Sequence, residues 1–291
     1  MSEITRRGGA WVPIVLLLLA IASFQAGASI AKTLFPVVGA LGMFTLRTLL
    51  GTVILAITMK PWRVRIAPGS HWTLLFYGLS LGLMNLSFYL AISRIPLGIA
   101  VAVEFSGPLA VAVVASRRVL DLCWAALAVL GIVLLLPMAH PGGKVDPVGM
   151  VYALAAGGFW ALYIIFGRKA GAGHGVQTVA LGAIVSSLLI APIGLIAKGS
   201  ALLSWSVLLP GLAVALLSTA LPYSLEMIAL TRLPARTYGI LMSVDPALAA
   251  LFGLVVLHER LSGVQWVAIL FIIGASIGTT VSAQYKDPVP G

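Results

Sequence analysis

Four ionisable residues lie inside long apolar stretches of this chain: Arg47, Glu104, Glu226 and Asp245. A charge at the centre of an apolar helix costs at least about 2.5–3.5 kcal/mol when it faces lipid, so such residues turn inward to a partner, a cavity or an ion path. Glu104 belongs to Val101-Ala-Val-Glu-Phe-Ser-Gly-Pro-Leu-Ala-Val-Ala-Val113, and Asp245 to Ile240-Leu-Met-Ser-Val-Asp-Pro-Ala-Leu-Ala-Ala-Leu-Phe252. Each segment joins one carboxylate to one proline, Pro108 or Pro246. Proline removes a backbone hydrogen bond and disturbs the turn before it. The carbonyls freed in this way, beside Glu104 and Met242, are able to accept from an ammonium or hydroxyl. A charge and a helix break in corresponding apolar segments of two halves is the pattern of a mid-membrane binding site.

Depth supports convergence. At 1.5 Å per residue, Glu104 lies about 12 Å past Pro96, and Arg47 and Asp245 lie about 15 Å into their stretches, within an apolar core of roughly 30 Å. One arginine cannot neutralise both Glu104 and Asp245. A structural ion pair of Arg47 with one carboxylate and a direct contact of Arg47 with a ligand both remain open. The surplus negative charge calls for a proton, a cationic group or water. A carboxylate that exchanges a proton for an amino group would couple the two, and a zwitterion would set its ammonium on Glu104 or Asp245 and its carboxylate on Arg47. Glu226 lies six residues before Arg232. With Tyr223 and Arg232 it forms a candidate gate at the cytoplasmic end, or a contact with the ligand.

Polar and aromatic residues inside the stretches make a second tier: Gln25, Ser29, Asn85, Tyr89, Trp160, Tyr163, Ser218, Thr219, Tyr223 and Ser224. Asn85 and Tyr89 are four apart and share a helix face. Any of these also serves as glue between helices. No metal-ligand spacing and no nucleophile–base arrangement appears, and the single cysteine, Cys123, excludes an intrachain disulfide. The four histidines are expected in loops, as is the glycine-rich 167–175 segment, which lacks the Lys-Ser/Thr of a phosphate cradle.

The elements that carry these residues follow from composition. Of 291 residues 60% are hydrophobic and 9% charged, and mean hydropathy is +1.10. A water-soluble domain cannot hide that much apolar surface, so the chain is expected to be an all-α integral membrane protein. The net charge of +10 sits in short loops, which argues for topology and against a nucleic-acid partner. Apolar runs fall at roughly 11–31, 37–59, 72–92, 97–116, 122–138, 147–167, 176–197, 205–228, 235–257 and 262–283, giving ten predicted transmembrane helices. The first is read as a span and not a cleaved signal, being too long for the latter. Trp11, Trp62, Trp72 and Trp205 read as interface anchors.

An N-in start places twelve Lys and Arg on the inner side (Arg6, Arg7, Lys60, Arg63, Arg65, Arg117, Arg118, Arg168, Lys169, Arg232, Arg236, Lys286) and five on the outer side (Lys32, Arg94, Lys144, Lys198, Arg260). Both termini are therefore expected in the cytoplasm. Arg94-Ile95-Pro96 returns as Arg232-Leu233-Pro234 and Pro108 as Pro246, each 138 residues on. The chain thus divides into five-helix repeats at 1–140 and 141–291, and an odd number of spans makes the second enter inverted. At the same offset Glu104 matches Met242 and Asp245 matches Gly107. The carboxylates stand one turn out of register, and one is expected to bind the ligand while the other handles a proton.

Pro61-Trp-Arg63, Pro96-Leu-Gly-Ile-Ala-Val-Ala102 with Glu104, Gly107-Pro-Leu-Ala-Val111 and Ser218-Thr-Ala-Leu-Pro-Tyr-Ser-Leu-Glu-Met-Ile-Ala-Leu-Thr-Arg-Leu-Pro234 resemble the drug/metabolite transporter superfamily. Within its EamA-type branch they resemble the amino-acid exporters, over essentially the whole chain. The resemblance implies a secondary-active exporter of small hydrophilic amino acids such as threonine and homoserine in the bacterial inner membrane. It implies proton antiport by alternating access, no cofactor beyond the proton gradient, and a cytoplasm-facing cavity lined by helices 1, 3, 4, 6, 8 and 9. Where those exporters carry Glu before the second proline, this chain has Asp245. Rival readings are efflux of amphipathic drugs or aromatic metabolites, an intramembrane enzyme, and a channel.

Overall fold

The computed structural model describes residues 11–64, 66, 69–115, 119–135, 145–175, 177–233 and 235–283. Arg6, Arg7, Arg65, Arg117, Arg118, Lys144, Lys286, Pro234 and His140 lie outside the described residues. Among those described, every regular element is helical: α1 (Trp11–Thr33), α2 (Phe35–Met59), α3 (His71–Ile92), α4 (Leu97–Glu104), α5 (Ser106–Ala115), α6 (Val119–Leu135), α7 (Pro147–His174), α8 (Gln177–Leu189), α9 (Ala191–Lys198), α10 (Trp205–Ala215), α11 (Leu221–Arg232), α12 (Ala235–Met242), α13 (Asp245–Val256) and α14 (Gly263–Ala283). Among the described residues, eight helical stretches are long and apolar enough to cross a membrane: Trp11–Thr33, Phe35–Met59, His71–Ile92, Pro147–His174, Gln177–Ala197, Trp205–Glu226, Thr237–Val256 and Gly263–Val281. Leu97–Val111 and Leu122–Leu135 are shorter apolar helices. Helices satisfy every backbone group internally, the condition for crossing hydrocarbon.

Several apolar stretches are broken, and each break has a local cause. Pro108 has no N–H for the Glu104 carbonyl, and the helix is interrupted for one residue, Phe105, between α4 and α5. Pro246 does the same to Met242, and Ser243-Val244 forms the turn between α12 and α13. In α2, Gly39 adopts φ 70, ψ 169, a left-handed setting that only glycine enters without strain. A π-helical turn, Leu216–Ala220, joins α10 to α11 just before Pro222.

The helices pack in a regular order. α2 lies on α8 and α9, α4 on α13, and α6 on α14, while α1 packs against α11 and α3 against α7. Small residues let backbones approach. A Cβ on Gly98 would lie 2.6 Å from the Ala250 Cα, so α4 and α13 touch almost backbone to backbone. A Cβ on Gly107 would collide with the Gly157 carbonyl, which fixes α5 against α7. α4 is buried along its whole length. Trp11, Trp62, Trp72 and Trp205 are all exposed, at the ends of helices or in the turn after α2.

The expected loop at 167–175 is instead the last turns of α7, which ends at Gly175 with φ 58. Glycine weakens a helix by only about 1 kcal/mol relative to alanine, and no proline interrupts the segment. His174 is consequently a buried helix-end residue near the Ala170 carbonyl, and His71 opens α3. Neither is a loop histidine.

Candidate functional site

A cavity of about 130 Å3 lies between α1, α3, α4, α7, α11 and the break between α12 and α13. These are the first, third, fourth, sixth, eighth and ninth apolar stretches in chain order. One water needs only about 10–15 Å3 of such space, so the cavity has room for a small polar molecule. Leu17, Ile21, Phe24 and Met242 give it apolar walls, and Asn85, Glu104, Trp160, Tyr163, Tyr223, Glu226 and Asp245 supply polar groups. Trp160 meets Phe105 edge-on at 5.3 Å, and Tyr163 stacks on Tyr77 at 5.0 Å. The two α7 rings that line the cavity are thereby held in fixed orientations.

The helix breaks place the carboxylates. Glu104 is the last residue of α4, and Asp245 is the first of α13. Each carboxylate thus stands at a junction where one helix ends and the next begins, α4 to α5 for Glu104 and α12 to α13 for Asp245. Asp245 Oδ1 accepts from Gln25 Nε2 at 2.5 Å. The Gln25 Oε1 has no partner among the described residues, although Gln25 is fully buried. Glu104 makes no hydrogen bond or ion pair to any described residue and is 7% exposed. Glu226 accepts from the Tyr238 hydroxyl and forms no ion pair with Arg232. Arg232 is exposed and lies away from the cavity.

Arg47 is buried and outside the lining of this cavity. Its NH1 donates to Asn85 Oδ1 at 2.8 Å, its NH2 to the Ser218 carbonyl at 2.8 Å, and its Nε to Thr219 Oγ1 at 3.3 Å. Phe24 and Tyr89 place their rings 5.3 and 5.4 Å from the guanidinium carbon. No described carboxylate forms an ion pair with it; the ion pairs among the described residues are Lys32–Glu259 and Arg94–Asp146. The Ser218 carbonyl is available because residue 222, four positions on, is proline and has no N–H to give it. Arg47 also borders a second space of about 30 Å3, with Thr48, Thr52, Ser186 and Thr219, which has room for a water or two. Asn85 and Tyr223 line both spaces.

Of the residues singled out by sequence, the structure brings Glu104, Asp245, Glu226, Asn85, Trp160, Tyr163 and Tyr223 to one cavity, and sets Arg47 and Tyr89 behind Asn85. Pro108 and Pro246 mark the breaks. The carbonyl freed by Pro108 lies against Gly157, where an added Cβ would meet it at 2.8 Å. Sequence reasoning missed Tyr238, Phe24 and the role of Pro222. The rule already applied to Pro108 and Pro246 would have flagged Pro222 as freeing Ser218.

The opposite end of the bundle is closed by charge. Lys32 Nζ lies 2.6 Å from Glu259 Oε1 and donates to the Ile95 carbonyl at 2.8 Å. Glu259 Oε2 accepts from the Leu97 backbone N–H at 2.8 Å. Beside this clasp Arg94 NH1 donates to Asp146 Oδ2 at 2.9 Å. Arg94 and the Val148 backbone N–H hold the Asp146 carboxyl below the usual aspartate range. Along α1, Lys32 stands 15 residues, about 22 Å, from Leu17 in the cavity wall.

A profile of the EamA-like transporter family matches residues 147–281. The threonine/homoserine exporter RhtA of Salmonella typhimurium (strain LT2) is 56% identical over 289 residues, covering 99% of this chain and 98% of that protein. The exporter of the same name from Escherichia coli (strain K12) is 55% identical over 284 residues, covering 98% and 96%. A protein known from its crystal structure shares the fold, with TM-score 0.63 and 19% identity over 96% of this chain and 99% of that one.

Proposed function

This chain belongs to the EamA-like transporter family, and from that premise we propose that it exports threonine, homoserine and related small amino acids across the bacterial inner membrane by proton antiport. It is a transporter and not an enzyme, as its exporter relatives are. The observation that carries the reading is the cavity itself: three carboxylates on three helices face a space large enough for a small polar molecule, and none has a cationic partner among the described residues.

Ten spans follow when Leu97–Val111 and Leu122–Leu135 are counted with the eight longer ones. The packing order supports two inverted repeats, 1–140 and 141–291. Spans 2, 4 and 5 each meet their counterparts 7, 9 and 10, while the pair of spans 1 and 8 mirrors the pair 3 and 6. A pseudo-two-fold axis produces that pattern. With both termini cytoplasmic, the clasp of Lys32 and Glu259 lies on the outer side and the cavity toward the inner side, as suits a carrier closed outward and ready to load.

In this mechanism Asp245, held by Gln25 at a helix N-terminus, receives the substrate ammonium. Glu104, at a helix C-terminus and free of partners among the described residues, carries the coupling proton. Arg47 acts as the clamp that ties Asn85 to the turn before Pro222. Tyr223 and Glu226 form the inner rim. Proton release from Glu104 toward the cytoplasm and ammonium binding at Asp245 alternate with outward opening and substrate release. Uptake of labelled threonine into inside-out vesicles under an imposed pH gradient tests the reading. Uptake that is absent, or indifferent to the gradient, overturns it.

A further inference from the structure

We propose that the cavity recognises its cargo through the ammonium group alone, so that amino alcohols, which keep the ammonium and hydroxyl but lack a carboxylate, are carried as readily as the amino acids. The proposal deepens the reading above and rests on it for the identity of the transported amine.

Recognition of a carboxylate away from water needs a cation or a set of unspent hydrogen-bond donors. Among the described residues the lining of this cavity contains no cation; it has Glu104, Glu226 and Asp245 instead. Arg47, bonded to the lining residue Asn85, has all three nitrogens engaged with Asn85, Ser218 and Thr219, and its faces are covered by Phe24 and Tyr89. Asn85 stands between Arg47 and the cavity, with its Oδ1 accepting from Arg47 and its Nδ2 donating to the Leu81 carbonyl. The remaining lining donors, the Trp160 indole and the Tyr163 and Tyr223 hydroxyls, are neutral. An ammonium finds the reverse. Glu104 faces the cavity more than nine-tenths buried and without a partner among the described residues, and Asp245 keeps an oxygen beyond the one bonded to Gln25. Three carboxylates and no described cation discriminate for positive charge, and a ligand carboxylate would meet their repulsion with only neutral donors to offset it.

Competition against labelled threonine uptake in inside-out vesicles tests this with L-threoninol, in which CH2OH replaces the carboxylate, and N-acetyl-L-threonine, which keeps the carboxylate and loses the ammonium. Threoninol should inhibit with a constant within about threefold of unlabelled threonine, and N-acetylthreonine should fail at a tenfold higher concentration. Labelled threoninol should itself accumulate in a gradient-dependent way. Inhibition by N-acetylthreonine equal to threonine's, or a threoninol constant more than tenfold weaker, overturns the proposal. Thermal unfolding of the purified carrier gives a readout independent of threonine transport: threoninol should raise the melting temperature and N-acetylthreonine should not. The reverse order overturns ammonium recognition even where threonine uptake is seen, and absent threonine uptake with a threoninol shift overturns only the amino-acid assignment.

Discussion

The Arg47 guanidinium donates to the Ser218 carbonyl at 2.8 Å, and Ser218 is the residue whose helical donor Pro222 removes. A helix break in one span is therefore completed by a charged side chain from another, 171 residues away. Because the same guanidinium holds Asn85, the turn at 216–220 and the wall of the cavity are a single mechanical unit.

Arg47→Lys removes the fork that reaches Asn85 and Ser218 together, since an ammonium is a single point of charge. Leaving one buried partner unsatisfied costs about 1–3 kcal/mol. Transport should fall at least tenfold with a lower melting temperature. Pro222→Ala gives Ser218 a backbone donor and makes its Arg47 contact redundant. In the Arg47→Lys, Pro222→Ala double variant the stability losses should then be less than additive; strict additivity in the cycle would separate the two residues.

Glu104→Gln and Asp245→Asn should differ in kind. The first should abolish gradient-driven accumulation yet retain threonine exchange in counterflow, where no net proton moves. The second should raise the KM for threonine by about ten- to a hundredfold, the loss expected for a hydrogen bond to a charged group. Identical behaviour of the two variants in both assays would refute the division of labour.

Gln25→Leu leaves Asp245 Oδ1 without its donor and should weaken threonine binding about tenfold, while Gln25→Glu, which sets a fourth carboxylate beside the cavity, should be worse. Ser29, whose hydroxyl bonds the Gln25 carbonyl within the same helix, provides the control: Ser29→Ala should change KM by less than twofold. Saturation curves of vesicle uptake measure all three.

Glu259→Gln should loosen the outer end. With Cys123→Ser as background, a cysteine at Val101 should react faster with a membrane-impermeant thiol reagent added from outside than it does when Glu259 is intact. The exchange Lys32→Glu with Glu259→Lys should restore protection in part, because the Leu97 N–H loses its acceptor while the ion pair survives. Protection unchanged by Glu259→Gln would detach this ion pair from gating.

Much of this site was legible in the sequence because its signals are local. A carboxylate one or four residues from a proline inside an apolar run requires no knowledge of neighbours, and Glu104 and Asp245 do line one cavity. Asn85 and Tyr89 share a face and both serve Arg47, as their spacing allowed. Partnerships across the fold were not legible. Nothing near Gln25 points to Asp245, 220 residues on, and nothing around Arg47 indicates that a carbonyl, and not a carboxylate, would receive it. The 167–175 segment misled because glycine and charge mark turns in water, whereas here they extend a helix past its apolar part.

The Lys32–Glu259 clasp ties three segments together. Glu259 holds the Lys32 side chain and the Leu97 backbone, and Lys32 holds the Ile95 carbonyl, so the end of α1, the start of α4 and the strand-free link before α14 share one knot. Moving any one of them alone strands a charge or a backbone group with no partner. The clasp thus yields all together or stays shut. In the proposed antiport, that all-or-none behaviour guards the proton gradient against slow leakage through a half-open carrier.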